Sequence, residues 1–322
     1  MPRRGSIPIV SSAGATSADE PSSKKGPAPL AVLAVAVLAV SFAAVFVRLA
    51  DAPGTVVALY RMAIAGLVLA PFTYRALRKS PLTGRNLKLT AAAAMLLAIH
   101  FASWITSLSM TSVAASVTLV ATAPLWAALF SWLFAKEPQR AGVVIGAVVA
   151  VVGATVLALG SDGGEQRTLG NLLALVGAIA AAGYLNLGRA VQRSGVALDA
   201  YVGTAYALAA LVLLPLPALF SQAYFGYPTN SYAWMLLLAL VPQLIGHTGL
   251  NYASRHLDTA LVATATLAEP IGSGILAILI FGEMPRYSTL IGGAVVLTGL
   301  VVAVRSGVAS PSSRPRHGTA HD

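Results

Sequence analysis

A single acidic residue, Glu269, stands well inside an apolar stretch of this sequence, nine residues after Ala260 and twelve before Phe281. An ionised carboxylate in such surroundings is costly, so the group is expected to be protonated or paired. A carboxyl group poised between those two states can take up and release protons. The neighbouring Pro270 supports a second interpretation, in which Glu269 is a structural residue that repairs the hydrogen bonding of a broken helix. The sequence alone leaves both interpretations open.

Polar side chains also follow one face of a later helix. Gln243, His247 and Asn251 are spaced i, i+4 and i+8, which places them on the same face. They are expected to face a cavity, as substrate contacts, or a neighbouring helix, as hydrogen-bonding groups. The length of the stripe and its titratable imidazole favour the cavity. His100 and Trp104 form a similar i, i+4 pair, whose tryptophan is suited either to stack on a planar or cationic ligand or to pack against a helix.

Further candidates carry weaker signals. Thr118 and Thr122 repeat the i, i+4 spacing, but threonine hydroxyls often bond to the backbone of their own helix. Tyr184 is spaced to line the same cavity. Arg61 is the lone basic residue inside an apolar stretch. For this residue, snorkelling to the membrane interface is favoured over a role as a clamp for a substrate carboxylate.

The sequence lacks the signatures of several enzyme classes. The phosphate-binding pattern GxxxxGK[ST] is absent, as are GxSxG and HExxH. The chain has no cysteine, and His100 and His247 have no Asp or Cys close by in sequence. We therefore expect no catalytic residue, no metal site and no cofactor.

The composition identifies the class of protein that must position these residues. Of 322 residues, 57% are hydrophobic and only 10% are charged, with a mean hydropathy of +0.78. Soluble domains carry about 25% charged residues, so this chain cannot cover a water-facing surface. Disordered chains need few apolar residues, and disulfide scaffolds need cysteine. The composition therefore indicates a polytopic membrane protein.

Apolar stretches of about 20 residues, the length that crosses a bilayer, are separated by turn residues and charged loops. They predict an all-α membrane protein with ten transmembrane helices. Their approximate bounds are 30–50, 54–74, 89–108, 113–134, 142–159, 169–187, 200–219, 233–253, 260–281 and 288–304.

The basic residues orient these ten spans. With both termini on the cytoplasmic side, 17 of the 21 Lys and Arg residues lie in inside segments and three at outside ends. Cytoplasmic loops retain basic residues, so the pattern predicts a multi-pass protein of the cell membrane, plasma or bacterial inner, with both termini cytoplasmic. Residues 1–29 are expected to form a disordered cytoplasmic tail and residues 305–322 a second tail. Because the positive charge is spread over membrane-flanking loops, no nucleic-acid partner is expected.

The chain also repeats itself after 146 residues. Residues 30–160 form one five-helix unit and residues 168–304 a second. Five is odd, so the second unit is predicted to cross the membrane inverted, as in many secondary transporters with a central cavity. The shift aligns Pro124 with Pro270, Glu137 with Glu283, Arg140 with Arg286, Gly146 with Gly292, and Gly153 with Gly299.

Four of the repeated residues are expected to be structural. Pro124 and Pro270 interrupt their helices. Gly146 and Gly292 belong to spaced glycines that allow spans 5 and 10 to pack closely, against each other or across a dimer. The expected oligomeric state is therefore a monomer or a homodimer.

These motifs resemble those of the EamA family of the drug/metabolite transporter superfamily, over roughly residues 30–304. The resemblance implies ten helices in two repeats around a cavity lined chiefly by spans 1, 3, 4, 6, 8 and 9. It also implies movement of small metabolites such as amino acids, usually outward. The sequence departs from a symmetric pattern because Ala123 precedes Pro124 where Glu269 precedes Pro270. Only one acidic group, Glu269, is therefore expected beside the two repeated prolines.

Together these observations predict a secondary transporter that exports small metabolites by alternating access, with Glu269 as a candidate proton-coupling residue. Its expected partners are a small-molecule substrate and the lipid bilayer. The alternative is an intramembrane enzyme acting on a lipid-like substrate, although such enzymes usually need clustered carboxylates or a metal. The predicted substrate contacts are His100, Trp104, Thr118, Thr122, Tyr184, Gln243, His247 and Asn251.

Overall fold

A computed structural model describes residues 28–136, 140–159, 164–257, 262 and 265–308. All regular secondary structure within these residues is helical, which confirms the predicted all-α class. Apart from residues 28, 29 and 305–308, the two predicted tails lie outside the described residues, as does Glu137.

Most helices are joined by short connections. In chain order they are α1 (Pro29–Ser41), α2 (Ala43–Ala50), α3 (Gly54–Lys79), α4 (Gly84–Ser107), α5 (Val113–Val120), α6 (Ala123–Ala135), α7 (Ala141–Leu159), α8 (Gly164–Arg193), α9 (Leu198–Leu213), α10 (Leu216–Leu219), α11 (Thr229–Leu238), a π-helical segment (Ala239–His247), α12 (Thr248–His256), α13 (Ala268–Phe281) and α14 (Tyr287–Val308).

Eight helical stretches in the described residues are long and apolar enough to cross a membrane, and each coincides with one predicted span. The other two predicted spans, 142–159 and 260–281, correspond to shorter apolar helices over Ala141–Val156 and Ala268–Phe281. The protein is therefore a helical multi-pass membrane protein. The count of ten spans and the inverted repeat stay predictions.

Large apolar side chains cover much of the outer surface. Leu67 of α3, Ile145 of α7 and Leu279 of α13 are all exposed. In water such a surface would be unstable, whereas in a bilayer these side chains contact lipid. The surface therefore agrees with membrane embedding.

The tightest central packing joins α4 to α8 and α3 to α9. Gly177 of α8 lies against the turn of α4 that carries His100 and Trp104. A Cβ atom at Gly177 would lie 3.2 Å from the Cβ of Trp104. Small residues at such a crossing let two membrane helices approach closely. This packing fixes the face of α4 that bears the two candidate residues.

The helices α7 and α14 pack along each other. Gly146 lies against Gly299, and a Cβ atom at Gly299 would come within 2.5 Å of the Gly146 carbonyl oxygen. Gly153 contacts Gly292 in the same way, since a Cβ atom at Gly153 would lie 2.8 Å from the Gly292 carbonyl oxygen. The spaced glycines thus bring spans 5 and 10 of one chain together at backbone distance.

Several predicted spans are discontinuous, and two of the breaks lie beside the prolines of the 146-residue repeat. The chain turns at Ala121 and Thr122 between α5 and α6, and Pro124 stands in the first turn of α6. It turns again at Leu267, just before α13, which has Pro270 in its first turn. Proline has no backbone N–H to donate, so both positions interrupt helical hydrogen bonding. Discontinuous helices of this kind are typical of binding sites near the membrane midplane of transporters.

Candidate functional site

A cavity of about 620 Å³ lies between the two broken spans. Its wall is formed by α4, α5, α6, α8, the π-helical segment, α12, α13 and α14, with one residue of α7. Most lining residues are apolar, as is usual in small-molecule sites. The polar and aromatic lining residues are His100, Trp104, Ser131, Tyr184, Arg189, His247, Asn251, Ser254, Thr266 and Glu269.

The cavity reaches one end of the helix bundle. Ser131 of α6, Arg189 of α8, Ser254 of α12 and Val304 of α14 all line it. Each of them lies within four residues of the C-terminal end of its helix. The basic residues of the sequence predict that these helix ends face the cytoplasm. The cavity therefore extends from the helix breaks to this end of the bundle, which is the predicted cytoplasmic end.

Residues of both helix breaks line the cavity. Pro124 contributes from the break after α5, and Leu267 and Glu269 contribute from the break before α13 and from the start of that helix. Among the described residues, Glu269 is the only carboxylate in the wall. Its side chain is half-buried and interacts electrostatically with the Arg61 guanidinium. A single acidic group is therefore positioned where the two broken spans meet.

His100 and Trp104 line the cavity from α4, although both are nearly fully buried. The Nδ1 atom of His100 lies 2.9 Å from the carbonyl oxygen of Gly177. Because a carbonyl only accepts, Nδ1 donates to it, which leaves Nε2 as the acceptor when the ring is neutral. The His100 and Trp104 rings stack at an interplanar angle of 4°, with their centroids 5.9 Å apart.

His247, Asn251 and Tyr184 form another part of the wall. The Nδ2 atom of Asn251 donates to the His247 carbonyl oxygen at 2.9 Å and lies 3.5 Å from the Tyr184 hydroxyl oxygen. The Tyr184 ring stacks on Tyr201 at a centroid distance of 6.3 Å. Two residues of the predicted polar stripe thus face the cavity, and one of them, Asn251, lies beside Tyr184, which was predicted from a different span.

Gln243, the first residue of that stripe, lies elsewhere. It is completely buried, and its Oε1 accepts a hydrogen bond of 2.7 Å from Arg61 Nε. Arg61 is itself completely buried, so it does not snorkel to the interface as the sequence favoured. The guanidinium instead lies over the Phe101 ring, 4.0 Å from its centroid. Neither Arg61 nor Gln243 is part of the cavity wall.

The two candidate threonines also lie outside the cavity wall. Thr122 Oγ1 donates to the carbonyl oxygen of Leu119 at 2.6 Å and accepts from Trp126 Nε1 at 3.2 Å. The Thr122 hydroxyl thus completes the hydrogen bonding of a backbone carbonyl and of an indole N–H beside the helix break. Thr118 is buried next to Gly293 of α14.

The four residues predicted to be structural occupy different environments. Pro124 lines the cavity. Pro270 is buried in the first turn of α13. Gly146 and Gly292 lie in the interface of α7 and α14. Their structural roles stay predictions that stability measurements can test.

The spans that line the cavity differ in part from those implied by the family resemblance. No residue of Pro29–Ala50, all of which the structure describes, lines this cavity, although span 1 was expected to. Val143 of span 5 and Leu300 and Ala303 of span 10 line it instead. Because α7 packs closely on α14, the start of α7 and the end of α14 both reach the cavity mouth.

An ion pair lies at the end of the bundle opposite the mouth. Arg48 Nη1 lies 3.0 Å from Glu283 Oε2, and Arg48 Nη2 donates to the Thr111 carbonyl oxygen at 2.7 Å. Glu283 Oε1 accepts from the backbone N–H of Val113 at 2.9 Å. These contacts tie span 1, the connection before α5 and the end of α13 together.

Sequence reasoning missed two features of the site. One is the burial of Arg61 on Phe101, which depends on contacts between distant helices. The other is Arg189, which the orientation argument counted among membrane-flanking basic residues but which lines the cavity mouth. In the described ranges, no group of three or more His, Cys, Asp or Glu side chains is arranged to hold a metal ion.

Known proteins resemble the chain in both sequence and fold. A probable terminal-alkyne amino-acid exporter of Streptantibioticus cattleyicolor is 26% identical over 193 residues, which cover 58% of this chain and 62% of the exporter. The uncharacterized transporter YwfM of Bacillus subtilis is 24% identical over 65% of this chain and 71% of its own length. A solved crystal structure, described only as that of a protein, has a TM-score of 0.60 at 19% identity. That match covers 85% of this chain and 96% of the other, and it supports the fold alone.

A family model matches the chain twice. The model of the EamA-like transporter family matches residues 27–159 and again residues 168–305. The two matches together cover most of the chain, and their bounds lie close to those predicted for the two repeats. The protein therefore belongs to the EamA-like transporter family.

Proposed function

We propose that this protein is a secondary transporter that exports small metabolites, with amino acids as the leading class, by alternating access. The observation that carries the proposal is the cavity itself. It begins at two broken helices and reaches one end of the bundle, whereas the Arg48–Glu283 ion pair lies at the other end. A relative named as a probable amino-acid exporter supports the substrate class.

We assign the substrate contacts to the polar and aromatic residues of the cavity wall. His100 Nε2 is available as an acceptor, and Trp104 offers a flat apolar surface. Tyr184 and Asn251 offer further hydrogen-bonding groups beside His247. Such a site, largely apolar with a few convergent polar groups, fits a small polar or amphipathic molecule.

We assign proton coupling to Glu269. Its carboxyl group lines the cavity, so it can exchange protons with whichever side the cavity faces. Its charged surroundings include Arg61, with which it interacts electrostatically. Arg61 also interacts with the two histidines, His100 and His247. A substrate that enters this group of charges changes the free energy of protonating Glu269, which is the requirement for coupling.

Export further requires the cavity of this structure to face the cytoplasm. The distribution of Lys and Arg supports this orientation, with both termini cytoplasmic and the protein in the plasma or bacterial inner membrane. The Arg48–Glu283 contact then closes the external side.

Flux measurements with purified protein in proteoliposomes test the proposal. Labelled amino acids and other small metabolites are supplied with and without a pH gradient. We expect saturable flux of at least one solute and a dependence of its rate on the gradient. Absence of flux for every solute, together with turnover of a lipid, would reject transport in favour of an intramembrane enzyme.

A further inference from the structure

A group of buried side chains lies directly behind the cavity wall, where α3 meets α4 and the π-helical segment. We name it the Arg61 cluster, and its members are Arg61, Phe101, Trp104 and Gln243. Arg61 and Gln243 are completely buried, and Trp104 is 3% exposed. The guanidinium carbon of Arg61 lies 4.0 Å from the Phe101 centroid and 5.7 Å from the Trp104 centroid.

Four nitrogen atoms of this cluster have no acceptor. Throughout the described part of the chain, Arg61 Nη1 and Nη2, Trp104 Nε1 and Gln243 Nε2 are buried and make no hydrogen bond to the protein. All four can only donate, so none can satisfy another. The Tyr206 hydroxyl, which faces Gln243 and Arg61, already pairs with Thr248 Oγ1 at 3.3 Å. An unpaired buried donor is costly, and an unpaired buried cation more so. Glu269 acts on Arg61 electrostatically but makes no hydrogen bond to its Nη atoms, so the cluster still lacks an acceptor, and a negatively charged one suits it best.

A carboxylate fits these donors. Its two oxygens form a planar fork that pairs with two guanidinium nitrogens, and its remaining lone pairs can accept from an indole and an amide. Phosphate fits less well, because its second negative charge would face a single cation. The Phe101 ring on one face of the guanidinium keeps the site dry, which strengthens the electrostatic attraction.

The Arg61 cluster adjoins the cavity. Trp104 belongs to both the cluster and the cavity wall. His247, one turn after Gln243, also lines the cavity and meets the Phe101 ring edge-on at a centroid distance of 5.7 Å. These side chains lie between the unpaired donors and the space assigned to the substrate.

We propose that the Arg61 cluster binds the carboxylate group of the transported substrate, with the Trp104 side chain turning to admit it. The rest of the substrate then lies in the cavity beside His100, Tyr184 and Asn251. This inference rests on the proposed transport function and narrows its substrate class to small carboxylates, zwitterionic amino acids included. Because Arg61 interacts electrostatically with Glu269, an arriving carboxylate also changes the field at the coupling residue.

Thermal stabilisation of the purified protein tests the inference with defined compounds. The panel comprises the proteinogenic L-amino acids, the amide and the decarboxylated amine of each one that stabilises, and inorganic phosphate. We expect the free acids to bind about 10- to 100-fold more tightly than their amides and amines, the usual range for a charge-assisted hydrogen bond. We expect phosphate to give no shift.

Two variants examine the cluster without removing the buried cation. Trp104→Phe deletes the indole donor and keeps a ring. Gln243→Glu places a carboxylate of the protein itself beside Arg61, so we expect it to raise the melting temperature and to eliminate binding of the free acids. Arg193→Gln changes an exposed arginine of α8 and is the matched control, which should bind the acids as the wild type does.

Several outcomes overturn the inference. They are equal stabilisation by acids and by their amides, unchanged acid binding in Gln243→Glu, and no stabilisation by any amino acid. The flux assay separates these results from the transport function. Saturable flux of a solute without a carboxylate would leave transport standing while rejecting the Arg61 cluster as its recognition site.

Discussion

Arg48 and Glu283 form an ion pair, with 3.0 Å between Nη1 and Oε2, at the end of the molecule opposite the cavity mouth. The two residues are 235 positions apart in the chain. Both are also tied to the connection and helix start around Thr111 and Val113, through a carbonyl oxygen and a backbone N–H. The pair therefore holds three separate segments together, and an alternating-access cycle must break it when the cavity opens to the other side.

The first prediction is that Glu283→Gln loosens this closure. The amide keeps an acceptor for the Val113 N–H but loses the charge. The closed state therefore loses the small free energy that a partly exposed ion pair contributes. Ser116 is fully buried beneath the closure. Ser116→Cys introduces the only thiol of the chain, because the sequence has no cysteine. An impermeant thiol reagent added from outside should react with this cysteine roughly 2- to 5-fold faster when Glu283→Gln is also present.

A matched control for this experiment is Glu165→Gln, which removes an exposed carboxylate at the start of α8. It should leave the labelling rate of the same cysteine unchanged. Equal labelling in Glu283→Gln and in the control would mean that the ion pair does not restrain opening.

A second prediction concerns the interface of α7 and α14. In Gly146→Ala the new methyl group would collide with the backbone of α14 at Gly299, and such overpacking costs about 1–3 kcal/mol. We expect a lower melting temperature in detergent. Gly274→Ala is the control, because nothing lies within 4 Å of its added Cβ atom and alanine favours a helix by about 1 kcal/mol. A similar melting temperature for both variants would refute the role of the close contact.

The sequence predicted the eight long apolar helices and the inward position of several polar residues, and the physical reason is the same for both. Polar groups in lipid are costly, so His100, His247 and Asn251 could be placed away from lipid by periodicity alone. The fold class and the approximate helix bounds follow from length and hydropathy. These are local properties, which a single sequence contains.

Contacts between helices that are distant in the chain could not be predicted from periodicity and hydropathy. Whether Arg61 reaches the interface or turns inward depends on Gln243, which is 182 residues away and accepts its hydrogen bond. Span 1 was expected in the cavity wall and Val143 was not, because helix neighbours cannot be deduced from a periodic pattern. Spacing also could not tell Thr122, which bonds within the protein, from Asn251, which lines the cavity.

A third prediction tests the topology. Green fluorescent protein fused to either terminus should fluoresce, and alkaline phosphatase fused there should be inactive, because both ends are predicted to be cytoplasmic. Phosphatase fused after Phe225, an exposed residue of the connection before α11, should be active because that connection is predicted to face outward. Termini in different compartments would contradict the inverted repeat and would remove the basis for assigning the cavity mouth to the cytoplasm.

The last prediction is that Glu269→Gln uncouples flux from the pH gradient. The amide preserves the size and hydrogen-bonding capacity of the side chain but cannot release a proton, so only the coupling should be lost. Gradient-driven flux should fall to the rate measured without a gradient, whereas exchange of labelled for unlabelled substrate across the proteoliposome membrane should continue. Glu165→Gln, at an exposed position, should retain both activities. If Glu269→Gln kept its gradient-driven flux, the proton would have to be carried by another group. If both activities and the melting temperature fell together, Glu269 would instead be the residue that stabilises the helix break at Pro270.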